Sequence, residues 1–254
     1  GLGDVYKRQG YAKYEVKTID GRDEAIYDWL SVNYLAETFL HETNTVGCLD
    51  LGGASAQISF ETQDESIGAQ DIVNLKVGKK TYRIFAHSFL GLGADKALEQ
   101  NNIDACYPTG YIYQPQRKGN FQDKACFDHI DAFLTANNIN SIVPKLPPHM
   151  KFYAFNKYYY VSSIYNITES PIPFVINYIN KKQCSQYNWS DLKLHYPLIN
   201  TNFLKSQCFS GEYVYSLFKR FGFNDLTTDL EIVDKINGNA TGWNIGAALA
   251  RAIE

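Results

Sequence analysis

One stretch constrains this chain more than any other: Cys48-Leu49-Asp50-Leu51-Gly52-Gly53-Ala54-Ser55-Ala56-Gln57-Ile58-Ser59-Phe60. An apolar strand runs into an acid, two glycines and a small hydroxyl, and a second alternating strand follows. The segment predicts a β-hairpin with a phosphate-sized gap at its tip. Glycines permit positive φ and carry no Cβ, so backbone N–H groups can approach an anion closely. Asp50 stands at the mouth, where a carboxylate can hold a hydrated divalent cation or a water. Ser55 and Gln57 can donate or orient hydrogen bonds there. Taken alone, a Gly-Gly hairpin is as readily a plain tight turn.

The second constraint lies just upstream. Gly21-Arg22-Asp23-Glu24-Ala25-Ile26-Tyr27-Asp28-Trp29-Leu30-Ser31-Val32-Asn33-Tyr34 opens on a turn and places Ile26, Trp29, Leu30 and Tyr34 at helical spacing. Asp23 and Glu24 fall at the start of this helix, which is expected to run to about residue 39. Acids there are favoured as caps by the free N–H groups and the macrodipole. Glu24 could equally project into a cleft as a general base, and spacing does not separate the two readings.

Composition narrows the class. The 254 residues suffice for one large domain or two small ones. A formal net charge of −3 and the absence of a Lys/Arg run argue against a nucleic-acid surface. No apolar stretch reaches membrane-spanning length. Nineteen tyrosines are better explained by core and rim packing than by a dedicated stacking surface. Of five cysteines, Cys106 and Cys126 bracket one short loop and Cys184 and Cys208 another. Two disulfides would form in an oxidising compartment, each stabilising by roughly 3 kcal/mol on the chain-entropy model. Cys48, inside the hairpin strand, reads as a small core hydrophobe. The five histidines are scattered without ligand spacing, and no Cys/His pattern suggests zinc.

Along the chain, alternation predicts an entering strand over residues 14–19. A second hairpin is expected over 72–89, turning at Gly78-Lys79. A short helix follows at 93–100, then a loop over 101–123, marked by Pro108, Gly110, Pro115 and Gly119. Helices are expected over 127–137, 171–183, 191–195 and 203–221, the last being the longest, with a short strand at 230–233 and an Ala-rich helix at 243–253. Residues 151–163 fit strand or helix equally well. Strand–helix alternation makes this a mixed α/β protein.

The two leading segments resemble the GDA1/CD39 family of nucleoside triphosphate diphosphohydrolases, or apyrases. That family carries a Gly-x-x-Glu-Gly-x-Tyr-x-Trp-x-x-x-Asn-Tyr block and then an Asp-Leu-Gly-Gly-Ala-Ser-x-Gln block, in this order. Ser88-Phe89-Leu90-Gly91-Leu92-Gly93, Cys106-Tyr107-Pro108-Thr109-Gly110-Tyr111, Phe152-Tyr153-Ala154-Phe155, Cys208-Phe209-Ser210-Gly211-Glu212-Tyr213 and Trp243-Asn244-Ile245-Gly246 look like further landmarks. There are departures. Ala25 replaces the glycine after the glutamate, and Gly91-Leu92 replaces Cys-Tyr. Residues 1–9 match nothing in the family and read as a non-native leader. Two upstream family blocks, a phosphate hairpin and a Thr-Ala-Gly-Met-Arg segment, are not found.

The resemblance implies an actin/Hsp70-like (ribonuclease H-like) ATPase lobe, a mixed sheet with flanking helices. Residues 10–237 would form the C-terminal lobe, and residues 238–254 a helix returning to a missing N-terminal lobe and otherwise exposing an apolar face. It also implies hydrolysis of the terminal phosphate of nucleoside tri- or diphosphates in an extracytoplasmic setting, with Ca²⁺ or Mg²⁺ as cofactor and the second lobe as partner. This chain alone would then show little turnover. Glu24 would be the base, with Ser55 and Gln57 positioning the attacking water. Gly52, Gly53, Ala54 and Ser55 would cradle phosphate oxygens, and Asp50 would hold the cation through water. Asn156, Lys157, Tyr160 and Tyr213 are the candidates for contacting the base. Rival readings are a secreted nucleotide- or glycan-binding module without catalysis, and a sugar kinase or exopolyphosphatase relative built on the same hairpin.

Overall fold

The computed structural model describes residues 18–167, 171–227 and 229–253. The expected leader and nearly all of the strand expected at 14–19 lie outside the described residues. The first helix, α1 (Gly21–Leu35), is capped by Asp20, whose side chain accepts the Asp23 amide at 2.7 Å. Capping therefore falls to Asp20, and Glu24 is free to project. The helix stops short of residue 39. The Asn33 side chain donates to the Trp29 and Val46 carbonyls and accepts the Val46 amide, and Glu37 turns to φ +59°. Both features lead the chain out of the helix and into the sheet.

Four strands follow: β1 (Gly47–Leu51), β2 (Ser55–Glu61), β3 (Ile72–Val77) and β4 (Lys80–Leu90). Next come α2 (Ala94–Gln100), the small hairpin β5 (Ile112–Gln114) and β6 (Arg117–Lys118), α3 (Asp123–Ala136) and the single turn α4 (Ile139–Ile142). Then come β7 (Phe152–Asn156), α5 (Lys157–Ser163), α6 (Ile172–Gln186), α7 (Trp189–His195), α8 (Thr201–Leu204) and α9 (Gln207–Arg220). The chain closes with β8 (Leu230–Ile232), a hairpin of β9 (Lys235–Ile236) and β10 (Asn239–Ala240), and α10 (Trp243–Ile253). The main sheet has the order β3-β4-β2-β1-β7-β8. Its β1–β7 and β7–β8 pairs are parallel and the others antiparallel, so the sheet is mixed.

Strand pleating decides which side chains meet which helix layer. Leu49, Leu51, Ala56, Ile58 and Phe60 pack with α3, α6 and α9 in one core. Cys48 points the other way and packs with Ala25, Trp29 and Val32 of α1. By the same alternation Asp50 and Gln57, which are register partners, lie on the α1 face.

Two expectations about chain organisation are corrected. The terminal helix α10 does not lack a partner in this lobe. Ile245 and Ala250 join the α1-side core, and an added Cβ at Gly246 would lie 1.8 Å from the Tyr27 carbonyl oxygen. The missing side chain lets the two helices touch backbone to backbone, so α10 completes this lobe's own layer. The expected boundary at 237/238 also falls inside a hairpin. Asn237 and Gly238 turn at φ +49° and +79°, as a tight turn between antiparallel strands requires, and Asn237 bonds the Leu35 carbonyl. Both expected disulfides are present. Cys106–Cys126 ties the loop before β5 to α3, and Cys184–Cys208 ties α6 to α9. Cys48 is a buried free thiol 3.0 Å from the Ser59 hydroxyl.

Candidate active site

The tip between β1 and β2 is held from behind by α2. The Gly52 carbonyl accepts the Ala94 amide at 2.9 Å, and the Gly53 carbonyl accepts those of Asp95 and Lys96 at 3.1 Å. Gly93 makes this approach possible, since a Cβ there would lie 2.4 Å from the Ala54 backbone. With the carbonyls engaged toward α2, the Gly53 and Ala54 amides have no backbone acceptor among the described residues. A turn with free N–H groups at an exposed tip is an anion cradle.

Beside the cradle, one amide group joins two parts of the chain. The Gln57 side-chain nitrogen donates to Glu24 Oε2 at 2.7 Å, to Ser55 Oγ at 2.8 Å and to Ser88 Oγ at 3.1 Å. Gly21 leaves room for Ser88, because a Cβ there would lie 2.3 Å from its hydroxyl. The head of α1 and the hairpin tip therefore face one space. Burial raises the proton affinity of Glu24 above the usual carboxylate range.

Asp50 is 2% exposed and accepts a 2.6 Å hydrogen bond from the Asn156 side chain. Burial pushes its pKa up to about 7, opposed by the Asn156 bond and reinforced by the Glu24 charge. Asn156 adopts φ +58°, ψ −121°, a sparsely populated conformation of the sort that collects at functional sites. Parallel pairing sets Leu51 against Asn156, at the carboxyl ends of two adjacent parallel strands, where open α/β sheets bind ligands.

The four expected base contacts divide. Asn156 belongs to Asp50 rather than to a base. Tyr213 is a correction: it is 1% exposed, stacks on Phe209 and donates to the Leu92 carbonyl at 2.6 Å, all within the core. Lys157 and Tyr160 do line a cavity of about 370 Å³, together with Ala94, Asp95 and Phe203. Tyr160 and Phe203 lie parallel at 6.3 Å and are 55% and 48% exposed. Lys157 pairs with Asp95 at 3.1 Å and lies over the Phe203 ring. Asp95 carries the cavity back to the cradle, since its carboxylate lies beside Gly53.

A sequence model of the GDA1/CD39 (nucleoside phosphatase) family matches residues 7–110 and 124–253. The chain belongs to this family. Among curated relatives, mouse ectonucleoside triphosphate diphosphohydrolase 1 is 28% identical, the match covering 92% of this chain and 57% of that protein. Probable apyrase 3 of Arabidopsis thaliana is 29% identical, over 78% of this chain and 50% of its own length. The chain thus spans little more than half the length of these relatives. Among solved structures, a Neospora caninum nucleoside triphosphate hydrolase superposes with a TM-score of 0.59 at 13% identity, covering 93% of this chain and 64% of that one. An Aquifex aeolicus Ppx/GppA protein gives a TM-score of 0.54 at 12% identity, covering 99% and 68%. The GDA1/CD39 chain has the actin/Hsp70-like ATPase fold, as the mixed sheet and flanking helices imply.

Three residues of this site in the GDA1/CD39 chain escaped the sequence reading. Ser88 was readable only through the register Gln57↔Ser88. Phe203 is brought to Tyr160 by packing, with no local motif. Asp28 lies within the first block and is fully buried, with neither carboxylate oxygen hydrogen-bonded among the described residues.

Proposed function

We propose that this chain is the water-activating lobe of a nucleoside tri- or diphosphate hydrolase. The observation that carries the reading is the Gln57 amide, which joins Glu24 to Ser55 at the mouth of a backbone anion cradle. Glu24 accepts a proton from a water lying between it and the terminal phosphorus. Its raised proton affinity suits a base that takes a proton near neutral pH. Gln57 and Ser55 fix that water, which removes the orientational freedom a free water would lose on the way to the transition state. The free amides of Gly53 and Ala54 donate to phosphoryl oxygens as charge spreads onto them, whereas the Gly52 amide, expected to join them, is spent closing the turn onto the Ser55 carbonyl at 3.0 Å. Tyr160 and Phe203 offer flat faces to a nucleobase and Lys157 its stem, a mode tolerant of base identity.

The donor set fits a divalent cation, Ca²⁺ or Mg²⁺. Asp50 is a buried hard oxygen donor, and the Glu24 carboxylate adds a second negative charge that acts on it. Asp50 would hold the ion through water, and the ion would supply charge neutralisation at the phosphates. A second lobe completes the substrate clamp, in keeping with the chain's 57% coverage of the mouse relative. The two disulfides support an oxidising, extracytoplasmic setting. Among the described residues no helix is long and apolar enough to cross a membrane.

The test is phosphate release from ATP, ADP and UDP by this chain joined to an upstream segment of a relative. Release that is abolished by Glu24→Gln is expected, as is little release from the chain alone. Full activity in Glu24→Gln would remove the base, and no release from any nucleotide would leave a binding module.

A further inference from the structure

Side chains alternate along β4, and its even-numbered residues face α1: Tyr82, Ile84 and Ala86 all belong to the core on that side. Ser88 continues this row, so a hydroxyl follows three apolar side chains. Register sets Ser88 opposite Gln57 on β2, whose side-chain nitrogen donates to its oxygen at 3.1 Å.

A glycine keeps the space open. Gly21 is the first residue of α1 and its φ is not positive, so its backbone conformation is open to any residue. Alanine would suit a helix better. A Cβ there, however, would lie 2.3 Å from the Ser88 oxygen and 2.7 Å from the Ser88 Cβ. The helix forgoes a better helix former at its head, and the Ser88 hydroxyl stands in the room this leaves.

The hydrogens of Gln57 give that hydroxyl its task. The side-chain nitrogen carries two hydrogens and has three oxygen acceptors, in Glu24, Ser55 and Ser88. Glu24 is the charged acceptor and the nearest, at 2.7 Å, so it holds one hydrogen. The other has two hydroxyls within reach. Without Ser88 it would fall to Ser55 alone, occupying a lone pair and fixing the direction of a hydroxyl that a water needs. With Ser88 in place, that hydrogen can leave Ser55 and still be bonded.

We infer that Ser88 is a positioning residue of the hydrolytic site: it takes up the second Gln57 hydrogen when the Ser55 hydroxyl turns to the attacking water. This rests on the function proposed above. Ser88 acts through Gln57 and Ser55, not on the substrate.

The test has two arms. In the ¹⁵N-labelled chain, the two side-chain hydrogens of Gln57 give separate NMR signals, assigned by their loss in Gln57→Leu. Ser88→Ala is expected to move one signal and to leave in place the one that responds to Glu24→Gln. In the chain joined to an upstream segment of a relative, the same variant is expected to lower kcat for ATP hydrolysis by roughly 10- to 100-fold, with KM within about twofold of wild type. Gly21→Ala keeps Ser88 but sets a methyl against its hydroxyl. It is expected to produce the same two changes, and it serves where Ser88→Ala does not fold. Gln57 signals unmoved in both variants would overturn the inference. So would moved signals with wild-type kcat, or a loss that falls on KM alone. A joined wild-type protein that releases no phosphate from any nucleotide would remove the proposed function and this role with it, whatever the NMR signals show.

Discussion

At the residue scale, the site turns on how few partners its polar groups have. One Gln57 nitrogen faces three oxygen acceptors, so its two hydrogens are shared among Glu24, Ser55 and Ser88. Replacing Glu24 with Gln keeps the shape and removes the proton acceptor. The expected loss in kcat is about 10²- to 10⁴-fold with little change in Tm, read by phosphate release and melting on this chain joined to an upstream segment of a relative. Asn156→Ala should behave differently. It strips the buried Asp50 carboxylate of its donor, which costs about 1–3 kcal/mol of stability, measurable as a lower urea midpoint. The Ser55–Gln57 contact was legible because both lie within one short block, whereas bringing Glu24 to Gln57, 33 residues away, rested on the family resemblance. Asn156 was misread because its partner is 106 residues away and reaches it only through parallel pairing, which leaves no local signature. Tyr213 was misread for a related reason: an aromatic beside a landmark cysteine looks the same in sequence whether it faces solvent or the core.

At the element scale, backbone contact without side chains fixes both the cradle and the terminal helix. Gly93 admits the start of α2 to the Ala54 backbone, and Gly246 admits α10 to Tyr27. In both cases the clashing atoms are backbone, which cannot swing aside as a flexible side chain would. Gly246→Val should therefore separate α10 from α1 and destabilise the lobe by about 1–3 kcal/mol, read as a lower urea midpoint with the two disulfides intact. Elements with strong local signals were legible: the alternating strands, the turn at Gly78, and α6. Residues 151–163 matched strand and helix because they contain both, β7 passing into α5 at the strained Asn156. The helix expected over 203–221 divides at Lys205–Ser206 into α8 and α9, because a run of helix formers does not show a change of axis. The Asn237-Gly238 turn carried a strong hairpin signal that was passed over in favour of a domain boundary.

At the scale of the whole molecule, stability should depend on pH in an uncommon direction. Glu212 on α9 is fully buried, and among the described residues neither of its carboxylate oxygens has a hydrogen-bond partner. Burial raises its pKa to about 7; Lys181 opposes the rise and Asp123 adds to it. Unfolded, the same group titrates near the ordinary value of 4.5. The native state therefore binds the proton more tightly than the unfolded chain does. Stability from this group is fully present below the unfolded pKa and is lost as pH rises through about 7. The difference is on the order of 3 kcal/mol, enough to matter against a typical domain stability of about 5–15 kcal/mol. Burial moves Glu24, Asp28 and Asp50 in the same direction, so these acids add to Glu212 rather than cancel it. Asp64, which is exposed, and Asp104, which is half-buried, move the opposite way, but solvent screening at both leaves little to weigh against Glu212. The urea midpoint should thus fall between pH 5.5 and pH 8. Glu212→Gln keeps the shape without the titration, so it should remove this group's share of that slope and exceed wild type at pH 8. A wild-type midpoint that rises over this interval would mean that Glu212 stays ionised in the native state, with a donor supplied from outside the described residues.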